Sequence, residues 1–179
     1  MSTVPRPSPR EAVARATARR ERREARSRWW RFALLALAVL IADQVVKAVV
    51  RARLEPGESR EVFPGFSISR VSNEGIAFGL FPGNQAAVAV LTVVALSGIA
   101  IAVAALARRH PFVAAGGGLL MGGSVSNLID RLAHGGVTDY FDPAHWWAFN
   151  LADVAIVVGA GLIIYGLLGA DETEDAAEH

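Results

Sequence analysis

The chain has 179 residues, 53% of them hydrophobic, with a mean hydropathy of +0.35 and a formal net charge of +1. These values place it among membrane proteins. The lack of cysteine excludes disulfides, a thiolate nucleophile and any Cys-based metal site.

The small net charge conceals an asymmetry. Ten arginines fall within the first 31 residues, no carboxylate occurs between Gly75 and Ile129, and the last nine residues, from Asp171, are acidic. Residues 1–28, rich in Arg, Ala, Glu and Pro, are expected to be a solvated, disordered cytoplasmic tail, the alternative being a basic helix on the anionic inner leaflet. Residues 170–179 are expected to be an acidic cytoplasmic tail, and 29–169 the membrane domain between them. No cleavable signal peptide is expected, because the arginine-rich head runs straight into an apolar stretch of full spanning length.

A spanning helix needs about 20 mostly apolar residues. Four segments qualify, at about 29–50, 85–107, 112–129 and 149–168. The predicted fold class is therefore an all-α membrane protein with four transmembrane helices. Lys and Arg near span ends mark the cytoplasmic side, so the arginine-rich head and the Arg108-Arg109 turn place both termini inside. The connection between the first two spans has period-two stretches such as Phe66–Val71, bounded by Pro56-Gly57, Pro64-Gly65 and Pro82-Gly83. A small extracytoplasmic β-element is expected there. Trp29-Trp30 and Trp146-Trp147 suit the two aromatic belts.

This direction brings every polar cluster to one level, near the outer face. Asp43 and Lys47 fall in the outer third of the first span. Asn127, Asp130 and Arg131 close the third, and Asn150 and Asp153 open the fourth. Ionisable groups at such depth are costly and are usually functional. Asp43 and Lys47, at i and i+4, are best read as a buried structural ion pair. Asn150-x-x-Asp153 has the form of a helix cap. Asp130 sits unfavourably at a helix end, and Arg131 beside it offers a partner. The Gly118-x-x-x-Gly122 pattern indicates close helix packing. No recognised metal-ligand spacing occurs.

Two facing carboxylates share one proton, and such a pair can activate water against an amide and protonate the leaving nitrogen. From spacing alone the pair is any two of Asp130, Asp139, Asp142 and Asp153. A proton-coupled carrier using the same outer carboxylates, and a non-catalytic assembly subunit, are the other readings.

Five pieces occur in order: Asp43-Gln44-Val-Val-Lys47, Asn73-Glu-Gly75-Ile-Ala77-Phe78-Gly79, Gly122-Gly123-Ser-Val-Ser-Asn127-Leu-Ile-Asp130-Arg131, Val137-Thr-Asp139-Tyr-Phe and Phe149-Asn150-Leu-Ala152-Asp153. In this the chain resembles the lipoprotein signal peptidases (signal peptidase II, peptidase family A8) over roughly residues 30–168. The resemblance implies a membrane aspartyl endopeptidase that cuts diacylglyceryl-modified bacterial prolipoproteins just before the lipidated cysteine. It implies Asp139 and Asp153 as the catalytic dyad, with Asp130 as the rival for the first member. Asn73, Gly75, Asn127, Asp130, Arg131, Asn150, Asp43 and Lys47 follow as supporting or substrate-binding residues. It also implies no metal or cofactor, membrane lipid and lipidated precursors as partners, no nucleic acid, and a monomer. Thr138 and Ser126 depart from the family pattern, where an aliphatic residue and a glycine are commoner, as does Ile76 in place of alanine.

Overall fold

The structure, a computed structural model, describes residues 8–74 and 111–175 together with positions 90, 93, 94, 97–101 and 105. Among the described residues, three helices are long and apolar enough to cross a membrane: α1 (Pro9–Arg53), α2 (Pro111–His134) and α3 (Leu151–Asp175), the apolar part of α3 ending at Leu168. The expected second span, 85–107, falls largely outside the described residues, and its described positions from 90 to 105 are helical.

Residues 9–28 are helical, which corrects the expectation of a disordered tail. The reasons are local. The Ser8 hydroxyl accepts from the Glu11 N–H at 3.3 Å while the Glu11 carboxylate accepts from the Ser8 N–H at 2.7 Å, a complete capping box with Pro9 in the first turn. Beyond it, Ala, Arg and Glu are strong helix formers, and Arg20 pairs with Glu24 one turn on at 2.9 Å.

The β-element is larger than expected. β1 (Ser59–Phe63) and β2 (Phe66–Asn73) form a hairpin through Gly65, whose φ of 84° lies in the left-handed region that glycine adopts freely. A third strand, β3 (Val137–Pro143), comes from the connection after α2 and pairs antiparallel with β2, giving the order β1-β2-β3. Val71 lies opposite Asp139 in this register.

α2 also runs further than its apolar stretch, past Asp130 to His134, where Gly135 takes a φ of 78° and its N–H caps the Arg131 carbonyl. Asp130 and Arg131 thus lie within the last helical turns. α2 is the central helix, packed against both α1 and α3. Glycines permit this: a Cβ on Gly118 would lie 2.6 Å from the Phe32 carbonyl oxygen of α1, and one on Gly116 would lie 2.5 Å from that of Gly159 on α3. The outer faces of α1 and α3 present Leu34, Leu37, Ile41, Val157, Ile164 and Leu168, all exposed, as a lipid-facing surface requires. Val50, Leu54 and Tyr140 form a second small core with Ile68, Phe141 and Leu151, which fixes the sheet to the helix ends.

Candidate active site

At the sheet end of the bundle, polar side chains from all three helices and two strands meet in two layers. The deeper layer is built on Asp43 and Lys47, both fully buried and paired at 2.7 Å. Asp43 also accepts from the Ser126 hydroxyl at 2.6 Å, the Tyr140 hydroxyl at 3.0 Å and the Ala152 N–H at 3.2 Å. Asp130, equally buried, lies 3.4 Å from the Lys47 ammonium and 3.2 Å from the Arg51 guanidinium. It accepts further from the Thr138 N–H at 2.8 Å and from Gln44 at 3.1 Å. Two carboxylates face two cations, and their oxygens carry multiple donors, which is the arrangement a buried charge cluster needs.

The second layer holds Asp139 on β3 and Asp153 in the first turn of α3. Asp139 accepts from the side-chain amides of Asn150 at 2.6 Å and Asn73 at 3.0 Å. Asp153 accepts from the Asn127 amide at 2.8 Å and the Asn150 N–H at 3.2 Å, while the Asn150 side chain accepts from the Asp153 N–H at 2.9 Å. The last two bonds are the reciprocal cap expected of Asn150-x-x-Asp153. Asn150 therefore holds both carboxylates at once. Asn127 joins the layers, since its carbonyl oxygen accepts from Lys47 at 2.7 Å.

Asp139 and Asp153 line one cavity of about 440 Å³ with Asn73, Asn127 and Arg131. Its remaining wall is apolar, including Trp147, Val154 and Val157. Burial first, and the Asp153 carboxylate second, push Asp139 from the ordinary carboxylate range up to about 7, against the opposing effect of the Asn73 and Asn150 hydrogen bonds. Burial likewise raises the neighbouring Tyr140 phenol.

Of the residues singled out from the sequence, Asn73, Asn127, Arg131, Asp139 and Asp153 meet at the cavity. Asp43, Lys47, Asp130 and Asn150 lie behind it. Gly75 and the segment 75–81 fall outside the described residues. Asp142 points away, accepting from Ser69 at 2.5 Å. The side chains holding Asp130 are Gln44, Lys47 and Arg51 of α1, whereas Arg131, expected beside it, lines the cavity. Five participants had no assigned role: Gln44, Arg51, Ser126, Thr138 and Tyr140. Two of them, Ser126 and Thr138, are the departures noted above, and both place a hydroxyl in the network, Thr138 accepting from Arg51 at 3.0 Å. A polar residue where an apolar one is usual was the available signal. Among the described residues no group of three His, Asp or Glu side chains converges in a way that could hold a metal ion.

The family model described as signal peptidase (SPase) II matches residues 35–169. The chain belongs to the signal peptidase II family. Curated relatives include the lipoprotein signal peptidases of Pelotomaculum thermopropionicum, 38% identical over 146 residues covering 81% of this chain and 96% of that one, and of Moorella thermoacetica, 39% identical over 138 residues covering 76% and 92%. Among solved structures, a bacterial membrane enzyme determined by the in meso method at 2.3 Å resolution superposes with a TM-score of 0.68 at 30% identity, covering 78% of this chain and 88% of that one. The membership makes this chain a membrane peptidase and gives no support to the carrier reading.

Proposed function

We propose that the chain is an aspartic endopeptidase that removes the signal peptide from diacylglyceryl-modified prolipoproteins, cutting before the lipidated cysteine, with Asp139 and Asp153 as its catalytic pair. The observation that carries this reading is the contrast in partners. Asp43 and Asp130 are neutralised by cations and sealed away, whereas Asp139 and Asp153 are held by amides and open on one cavity.

Asp139, at about 7, is about half protonated at neutral pH, far more than an ordinary carboxylate. Asp153 takes donors from the helix N-terminus and Asn127, which suit an anion. In the proposed reaction the ionised carboxylate accepts a proton from water as the water oxygen attacks the scissile carbonyl carbon. The protonated partner donates to the carbonyl oxygen. Collapse of the tetrahedral intermediate breaks the C–N bond as a proton passes to the leaving nitrogen. The two carboxylates supply the acid and base, so the reaction needs no metal or organic cofactor. The apolar wall of Trp147, Val154 and Val157 suits acyl chains and signal-peptide side chains.

The same reading makes the segment 85–107 a fourth span, and Ile99, packed on the Val113–Ala114 core of α2, supports it. It sets both termini in the cytoplasm and the cavity near the outer face, and it takes the working unit to be one chain in membrane lipid. The test is incubation of the purified chain with a lipidated and an unlipidated precursor, followed by mass shift. Cleavage of the lipidated precursor alone, lost in Asp139→Asn and Asp153→Asn, is the expected result. Near-normal turnover in either variant removes that residue from the pair.

A further inference from the structure

A second cavity, of about 410 Å³, lies between the end of α1, β2 and the end of α2. Its lining includes Arg51, Arg70, His134, Ser72 and Thr138 and, among the described residues, no carboxylate. Along β2 and β3 the side chains alternate between faces. Asn73 and Asp139 serve the catalytic cavity, and their neighbours Ser72 and Thr138 serve this one.

The charge here is not balanced. Arg51 is matched by Asp130, and Lys47 by Asp43. Arg70 forms no ion pair with any described carboxylate. Its Nη1 donates to the Arg51 and Leu54 carbonyl oxygens at 3.2 and 2.9 Å, capping the C-terminus of α1. Capping explains that one nitrogen. Nη2 and Nε make no hydrogen bond with a described residue. Thr138 is buried and accepts from Arg51, so its own proton is free to donate. His134, 3.9 Å from Asp130, is partly exposed at the rim.

We propose that this cavity binds a phosphate anion, carried by a membrane lipid headgroup or free in solution. A guanidinium presents paired donors that match phosphate oxygens, and charge-assisted bonds of this kind are the strong ones. The cavity lies about one turn past Lys47, where α1 leaves its apolar stretch, so it stands at headgroup depth. The inference is independent of which residues cut the peptide bond.

The test titrates the purified full-length protein, in non-ionic detergent, with dihexanoyl phosphatidylglycerol, with dihexanoylglycerol and with inorganic phosphate, read by calorimetry. The phospholipid is expected to bind saturably. Arg70→Gln should weaken it by about 10-fold or more and Arg70→Lys by less, since the charge stays while the fork is lost. Ser72→Glu, which removes no capping bond and places a carboxylate at the rim, should abolish binding. It decides the matter if Arg70→Gln does not fold. Dihexanoylglycerol, with the same chains and no phosphate, should show no binding that depends on Arg70. Competition by inorganic phosphate at much higher concentration assigns the site to lipid headgroups, whereas inorganic phosphate binding as tightly as the phospholipid assigns it to free phosphate. Absence of saturable binding by either, or binding equal in the wild type and in Ser72→Glu, overturns the proposal.

Discussion

Two pairs of aspartates lie within one polar cluster and are treated differently by the fold. Asp43 and Asp130 receive Lys47 and Arg51, together with serine, tyrosine, glutamine and backbone donors, and neither touches the cavity. Asp139 and Asp153 receive asparagine amides and a helix N-terminus, and both line the cavity. An amide orients a carboxylate without paying off its charge, so protonation remains the cheaper route to neutrality. A nearby cation removes that option. The hydrogen-bonded partners, more than depth, distinguish the two pairs, although the Arg131 charge also acts on Asp139 and Asp153 from the cavity wall.

The sharpest way to break this comparison is isosteric substitution on both sides. Asp139→Asn or Asp153→Asn should lower kcat for a lipidated precursor by at least about 10²-fold, the scale of a lost acid–base group, with no loss of thermal stability at neutral pH. Asp130→Asn should do the reverse. It takes the counter-ion from the part-buried Arg51 and one of two from the buried Lys47, a loss of up to about 3–5 kcal/mol in unfolding free energy, while the folded fraction still cleaves. Paired measurements of kcat and chemical unfolding separate the two outcomes. A stable, inactive Asp130→Asn protein would move Asp130 into the reacting pair.

Much of this division was legible in the sequence. The order of motifs brought Asn73, Asn127, Arg131, Asp139 and Asp153 to one site, and the i, i+4 spacing of Asp43 and Lys47 gave their ion pair. What was not legible depends on long-range register. Val137–Pro143 carries a single period of alternation and reads as a loop until β2 supplies the partner that makes it a strand. Without that strand, neither the Thr138 N–H on Asp130 nor the reach of Arg51 to both is foreseeable. The N-terminal helix was the less favoured reading of its segment for a different reason. Its composition suggested solvation, while its capping box and strong helix formers decide the backbone.

The raised value of Asp139 sharpens the comparison further. A native value of about 7 against an ordinary 3.8 means that the folded state binds this proton more tightly than the unfolded chain. Stability should therefore fall as pH rises from about 4 to about 7 and level off above, by an amount on the order of a few kcal/mol. Asp139→Asn removes that dependence. Its melting temperature should match the wild type near pH 4 and exceed it at pH 8. Cleavage, which needs the pair to hold one proton, should decline in the wild type as pH passes upward through about 7. A wild-type melting curve that is flat over this window would show that Asp139 titrates normally.

The smallest effect concerns the bond joining the two regions. Tyr140 is buried beside Asp139, and its hydroxyl donates to Asp43 at 3.0 Å while accepting from the Leu151 N–H at 2.9 Å, two residues before Asp153. One oxygen thus ties Asp43 to β3, which carries Asp139, and to the first turn of α3, which carries Asp153. Tyr140→Phe keeps the ring in its core with Val50 and Leu54 and removes only that oxygen. The expected cost is about 1–3 kcal/mol of stability, because one bond is to a charged group, and a fall in kcat of about 3- to 10-fold with KM unchanged. The kinetic split is what matters. A fall in stability with kcat intact would mean that the asparagine amides alone set the spacing of Asp139 and Asp153, and that the deeper layer supports the fold without tuning the chemistry.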